Sequence, residues 1–253
     1  MDSTRIITHI REHVLADVLC EDGHLTELCL IPDGKSSILG NIYIGKVKNI
    51  VKNIQAAFVE ISDGLLCYLP LEDVQSPIYT RPKKQDRLAE GDELLVQVSR
   101  EAVKTKAPSV TTNLSLTGKY LVLTTGVQKI GYSSKLGSAD RERLKAFMES
   151  QELPKAGLIV RTNAASAGEE ELLKEYEKLM ADYRFLTEQA IHRSVFSCVK
   201  KSRPAYLTSI LGSRSEYLKE ILTDDEALYE EIQDFLRSAP SRSRISWHPC
   251  TNC

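Results

Sequence analysis

The chain has no apolar run approaching the roughly 20 residues that carry a helix across a bilayer, so no helical membrane span is expected in this sequence. Its opening, MDSTRIITHI, has no apolar core of the signal-peptide kind, and a cytoplasmic location is expected. Net charge is scarce as well: 33 Lys and Arg against 35 Asp and Glu leave −2. That excludes a general polyanion-binding coat, so any nucleic-acid site has to be a local basic patch. Six cysteines are scattered (Cys20, Cys29, Cys67, Cys198, Cys250, Cys253), and only the last two lie close together. This is no disulfide framework, and in a reducing compartment the first four read as small buried hydrophobes. The five histidines make no arrangement with a Ser or Cys that could run nucleophilic catalysis. His9, His13 and His24 fall in a β-rich region and read as surface or satisfied core side chains. A Gly-rich phosphate loop, an internal repeat and a low-complexity linker are all missing.

What is present is apolar content of 42%, enough for a substantial core and more than one domain. Residues 4–32 alternate apolar and polar side chains around Glu21-Asp22-Gly23, which predicts an antiparallel β meander. Residues 39–110 read as a barrel, with a loop through Pro77, Pro82 and Arg81 to Gln85 and a returning strand from Glu93 to Ser99. Residues 111–202 begin β-rich at Tyr120 to Thr125 and end in helices. Ser166 and Glu169 have the spacing of a capping box, and Leu172, Tyr176, Leu179, Tyr183 and Leu186 form the packing stripe of the helix that follows. Residues 203–237 are mixed α/β, with a second capping box at Thr223 and Glu226 and Leu228, Ile232 and Phe235 at helical spacing. A barrel bracketed by two α/β pieces suggests one domain inserted into another.

The stretch from Leu39 to Val74 is the most informative. Asn41 to Ile50 is a β-rich run with Lys46, Lys48 and then Lys52; Gln55 to Ile61 is a second run; Ser62-Asp63-Gly64 is a turn; Leu65 to Leu69 is a third run. Short strands around a Gly turn predict an OB-type barrel. Phe58 and Tyr68 fall where the second and third strands face outward. Aromatic faces beside lysines suit single-stranded RNA, because bases stack on rings while ammonium groups follow phosphates. Against this stands Phe58 as a core residue and the lysines as a solvated face; the pattern by itself supports both readings equally.

Further on, Gly157 to Val160 is an apolar strand ending in Arg161-Thr162-Asn163. A guanidinium fork and a hydroxyl at a strand end can hold phosphate oxygens. The alternative is an Arg paired with a nearby carboxylate and a Thr that closes the strand, and for an isolated Arg-Thr pair that alternative is favoured.

The barrel stretch, Lys104-Thr105-Lys106 with Thr111-Thr112 after it, Gly118-Lys119-Tyr120-Leu121-Val122, and Gly157 to Thr162 occur in this order. In this arrangement the sequence resembles the ribonuclease E/G family over about residues 1–236. The resemblance implies an α+β fold: an OB-type β-barrel at 39–110 and an α/β 5′-end sensor at 111–202, inserted in a split RNase H-like subdomain at 1–38 and 203–253. It implies RNA contacts at Phe58, Tyr68 (usually Phe in the family) and Lys106, and a 5′-monophosphate pocket of Arg161 and Thr162 lined by Val122. Ala107-Pro108 follow Lys106 where the family has Gly, a departure that bears on the loop. Single-stranded RNA is the implied partner, and a homo-oligomer is compatible with it.

The family hydrolyses RNA with two aspartates of a following DNase-like domain, which hold Mg²⁺. No residues of this chain match them; Asp224 and Asp225 start a capped helix, where carboxylates suit the positive end. This chain is therefore expected to be inactive alone. The segment Ser238 to Cys253 reads as unlike the family, as in a truncated or altered chain. Its Cys250 and Cys253 have zinc-ligand spacing but stand as a single pair, for which coincidence is the simpler reading. Three functions follow: the RNA-recognition half of an endoribonuclease, a standalone RNA-binding protein, or a protein-interaction module.

Overall fold

The computed structural model describes residues 3–32, 37–83, 87–151, 156–212, 218–238 and 244–247. The chain opens with β1 (Ser3–Arg11), β2 (Val14–Glu21) and β3 (His24–Pro32). Asp22 and Gly23 take φ of 49° and 80°, the turn chemistry of a tight hairpin, so the expected meander forms. Next come β4 (Ile42–Val51), β5 (Ala56–Ser62), β6 (Leu65–Pro70), β7 (Glu93–Arg100) and β8 (Ser109–Thr111). They are followed by β9 (Ser115–Thr117), β10 (Leu121–Thr124), β11 (Ile130–Tyr132), α1 (Ser138–Glu149), β12 (Gly157–Val160), α2 (Glu169–Arg184) and β13 (Cys198–Lys200). The chain ends with α3 (Ala205–Gly212), β14 (Leu218–Thr223), α4 (Glu226–Ser238) and β15 (Arg244–Trp247). It divides into two compact units, residues 1–37 with 203–253, and residues 38–202.

The first unit is a five-stranded sheet in the order β15-β14-β1-β2-β3. The meander strands are antiparallel, while β14 runs parallel to β1 and β15 parallel to β14. Ile7 and Leu15 on one sheet face pack with Tyr206, Leu207 and Ile210 of α3 and with Leu228 and Ile232 of α4. Within this unit lies a buried ion pair. Arg5 and Asp17 are 3% and 4% exposed, with Arg5 Nε 3.5 Å from Asp17 Oδ1. Arg5 also donates to the Ser209 hydroxyl. Burial pushes the Asp17 carboxyl above its ordinary value, against the pull of the Arg5 guanidinium.

The second unit holds the barrel. Its strands pair in the order β4-β5-β6-β8-β7 and close by pairing of β7 with β4; β13 adds to the free side of β4. Val47, Ala57, Val59, Ile61, Cys67, Leu69, Leu94, Val96, Val98 and Val110 fill the interior. Burial there pushes the Cys67 thiol up to about 12. A Cβ at Gly45 would sit 2.5 Å from Val59 Cγ1, so this position has to be glycine for the strands to pack. Outside the barrel, a four-stranded sheet in the order β11-β12-β10-β9 packs with α1 and α2. Ile42, Ile44 and Leu95, from the outer side of the barrel strands, join Leu121, Leu123, Leu158, Leu144 and Leu172 in one core.

Several expectations change in detail. Of the four cysteines read as buried, only Cys67 is; Cys20, Cys29 and Cys198 are partly exposed. Both helix starts lie two residues later than the capping boxes suggest. Residues 162–166 first make a 3₁₀ turn, so Ser166 donates back to the Asn163 carbonyl. The Gly168 N–H is then taken by the Glu171 carboxylate as α2 begins. At α4 the cap is Asp225, whose Oδ1 accepts the Leu228 N–H at 2.9 Å; Thr223 instead accepts the Asp225 N–H. Of the expected stripe, Leu172, Tyr176, Leu179 and Leu186 are buried and Tyr183 is partly buried; Leu186 lies in the π turn that follows α2. Cys250 and Cys253 lie outside the described residues.

Candidate nucleic-acid interface

On β5, Ala57, Val59 and Ile61 point into the barrel, and on β6 Cys67 and Leu69 do the same. Phe58 and Tyr68 occupy the alternate positions and are half-buried on the outer face, so the core reading of Phe58 is set aside. They are direct partners across the two strands, their ring centroids 6.2 Å apart and their planes at 75°. Edge-to-face packing of this kind holds the two rings against each other on the outer face. Lys106 is exposed at the end of a tight hairpin in which Val103 and Lys106 exchange backbone hydrogen bonds (3.3 and 3.0 Å) and Lys104 takes φ 55°. After the hairpin, the Pro108 carbonyl accepts the Tyr68 N–H at 2.8 Å and ties the segment to the aromatic strand, a backbone bond that does not depend on the Ala107-Pro108 departure. The lysines of β4 behave differently from expectation. Lys48 pairs with Glu60 at 3.0 Å and Lys46 lies 3.9 Å from Glu93, so both are partly neutralised.

The second cluster forms where β10, β12 and the β9–β10 turn meet. Arg161 follows β12, and its Nη1 donates to the Gly118 carbonyl at 2.7 Å. Among the described residues no carboxylate pairs with Arg161. The carboxylate-paired alternative therefore does not hold, and the rest of the guanidinium fork is left for another acceptor. Thr162 Oγ1 shares a hydrogen bond of 2.8 Å with Ser133 Oγ. Arg143 from α1 donates to the carbonyls of Ala164, Ala165 and Ala167 and clamps the turn that starts at Thr162. Val122 is half-buried on β10, in register with Ile159 of β12.

Glu175 and Ser133 in this cluster belong to no sequence motif, and Lys119, from the Gly118–Val122 stretch, lies beside Glu175. Glu175 of α2 accepts the backbone N–H groups of Lys119, Tyr120 and Leu121 at 2.7–2.8 Å, fixing the turn whose Gly118 carbonyl aims Arg161. A Cβ at Gly118 would meet that carboxylate at 2.5 Å. Lys119 is 7% exposed with Nζ 4.9 Å from the Tyr120 ring centroid, and burial pulls its pKa below the ordinary lysine value despite Glu171 and Glu175. Ser133 orients Thr162. Glu175 and Ser133 meet their partners across 54–56 and 29 residues of chain, a separation that no local pattern reveals.

The Mg²⁺ implied by the resemblance does not fit these residues. Asp224 accepts from the Thr8 hydroxyl at 2.6–2.7 Å, and Asp225 caps α4 and lies 3.1 Å from His9 Nδ1. Among the described residues no three His, Cys, Asp or Glu side chains converge as metal ligands.

Residues 115–249, more than half of the chain, match the Ribonuclease E/G family. The chain belongs to that family. It is 28% identical over 252 residues to Ribonuclease G of Haemophilus influenzae, an alignment covering 93% of this chain and 50% of that protein. Ribonuclease E of Escherichia coli K12 is 31% identical over 244 residues, covering 89% of this chain and 22% of that protein. Ribonuclease G of the same strain is 30% identical over 166 residues, covering 61% and 34%. The chain thus spans half or less of the length of these relatives. The family match corrects one expectation. It continues to residue 249, well into the segment Ser238 to Cys253 read as unlike the family, and Arg244–Trp247 is a strand parallel to β14. A four-residue strand amid Ser, Arg and Pro carries too weak an alternation to stand out before its neighbour is placed. No helix among the described residues is long and apolar enough to cross a membrane.

Proposed function

We propose that the chain is the RNA-recognition part of a ribonuclease E/G-type endoribonuclease acting in RNA processing and decay. In this reading residues 39–110 bind single-stranded RNA through Phe58, Tyr68 and Lys106. Residues 111–202 recognise a 5′-monophosphate through Arg161 and Thr162, with Val122 lining the pocket. Residues 1–38 and 203–253 form an RNase H-like subdomain, a reading supported by an antiparallel meander extended on its first strand by two parallel strands. The observation that carries the proposal is the state of Arg161. Its partner is a neutral carbonyl, not a carboxylate, and a hydroxyl held by Ser133 stands at the next residue. A fork anchored in this way keeps donors and charge for a phosphate.

The chemistry of these residues is binding and orientation. Rings hold bases by stacking, Lys106 neutralises a backbone phosphate, and Arg161 with Thr162 grips the terminal one. A triphosphate carries more charge and bulk than one fork and one hydroxyl can match, which favours processed 5′ ends. The test uses one oligonucleotide with a 5′-hydroxyl, a monophosphate or a triphosphate. A charge-assisted hydrogen bond contributes about 1.5–3 kcal/mol, so the monophosphate should bind at least about tenfold tighter than the hydroxyl. Arg161→Lys should lose most of this preference, and lower salt should enlarge it. Equal affinity of the folded protein for hydroxyl and monophosphate ends would overturn the sensor, and indifference to all three RNAs would overturn the whole reading.

A further inference from the structure

We infer that Arg100 is a further RNA-binding residue of the barrel, holding the nucleotide next to the one stacked on Tyr68. This rests on the RNA-binding reading of the barrel and extends it to a position outside the Phe58, Tyr68 and Lys106 set.

The register carries the argument. Asn49 of β4 is the partner of Phe58, Phe58 of Tyr68, Tyr68 of Ser109 on β8, and Ser109 of Arg100 on β7. These five positions form one row around the outside of the barrel, with the two rings inside it and an amide and a guanidinium at its ends. Both ends are put there by irregularities in the pairing. Strict alternation would aim Arg100 inward, because Leu94, Val96 and Val98 all face the interior. The register shifts between Val98 and Arg100, so Val98 pairs with the interior Val110 while Arg100 pairs with the outer-face Ser109. A matching shift between Val47 and Asn49 brings Asn49 opposite Phe58. An inserted residue of this kind re-aims the side chains beyond it, and such bulges concentrate beside functional sites.

The charge distribution points the same way. At the β4 end of the row, Lys46 and Lys48 face Glu93 and Glu60. At the β7 end Arg100 is exposed, and among the described residues no carboxylate pairs with it, nor with Lys104 and Lys106 of the hairpin that follows. The acidic neighbour Glu101 is turned to the Ile38 N–H at 2.9 Å. An RNA strand lying over the rings is therefore drawn toward Arg100 and this hairpin. Neighbouring strands are about 4.8 Å apart, which puts Arg100 roughly 10 Å from Tyr68, within reach of the adjoining nucleotide. A guanidinium can grip its phosphate with two donors or lie flat on its base.

The experiment measures equilibrium binding of a 5′-hydroxyl single-stranded oligonucleotide over a series of KCl concentrations, with folding of each variant checked by thermal melting. The 5′-hydroxyl end keeps the Arg161 cluster out of the measurement. Arg100→Gln should weaken binding about tenfold and reduce the slope of log affinity against log salt by about 0.7, the value for one phosphate on a single strand. Arg100→Lys should keep the slope and lose part of the affinity. The neutral pair K48Q/E60Q should behave as wild type. Wild-type affinity and slope in Arg100→Gln, with binding lost in Phe58→Ala, would overturn this inference and leave the barrel reading standing. If Phe58→Ala also binds as wild type, the barrel reading itself fails. An equal loss in K48Q/E60Q, which leaves the net charge unchanged, would show that any change on this face disturbs binding and would overturn the inference as well.

Discussion

Phe58→Ala separates a binding surface from a packing role because the structure assigns different magnitudes to the two. Phe58 is half-buried on the outer barrel face, while its sequence neighbours Ala57 and Val59 fill the interior. Its main specific contact is the Tyr68 ring, edge-on at 6.2 Å. Such a pair contributes about 0.5–1.5 kcal/mol beyond area burial, so the truncation should cost stability by about 1–2 kcal/mol. A core Phe→Ala change costs about 3–5 kcal/mol. Loss of one stacked base removes about 1–3 kcal/mol of binding, which is roughly 5- to 150-fold in Kd. The 75° angle between the rings adds a constraint: bases stacked on both must splay, so the two contributions should be separable and Tyr68→Ala should add to Phe58→Ala. Tyr68→Phe keeps the ring and should bind nearly as wild type. Urea titration gives the stability change, and fluorescence anisotropy with a short labelled RNA gives the affinity at fixed salt. A folded Phe58→Ala protein with unchanged affinity refutes stacking there. A stability loss of core size refutes the outward placement.

Two further outcomes follow from contacts that cross the chain. Ser133→Ala removes the partner of the Thr162 hydroxyl; a neutral hydrogen bond contributes about 0.5–1.5 kcal/mol, so monophosphorylated RNA should bind about 2- to 12-fold more weakly while 5′-hydroxyl RNA is unaffected, and equal losses for both ends would refute an orienting role. Arg5→Leu should destabilise the first unit by about 3–5 kcal/mol because it strands the buried Asp17 carboxyl, whereas R5L/D17L together should recover much of that loss in a denaturant titration; additive losses would refute the pairing.

Elements with a clear period are legible from the residues alone. Residues 4–32 alternate loosely around a turn that accepts positive φ, which is enough to read a meander but not its inner face: Arg5 and Asp17 are buried while Leu25, Leu28 and Leu30 are exposed. The same alternation put Phe58 and Tyr68 on the outer face, and the stripe from Leu172 to Leu186 announced a packed helix. Local pattern was less reliable where two neighbouring residues could serve one purpose. Ser166 and Thr223 have capping chemistry, yet Gly168 and Asp225 occupy the caps, because a 3₁₀ turn before α2 and a Thr–Asp turn before α4 each use up the earlier residue. The three-residue β8 and β13 have too few positions to show a period, and they became strands only when β6, β7 and β4 offered unpaired edges. Tertiary structure also decided the chemistry of the basic residues. Composition shows Lys46, Lys48, Arg100 and Arg161 as equivalent cations; folding brings Glu93 and Glu60 to the first two, turns Arg100 outward through a bulge and gives Arg161 a carbonyl. A cation's availability depends on which group lies within a few ångströms of it, and for Lys46, Lys48 and Arg161 that group comes from another strand or turn.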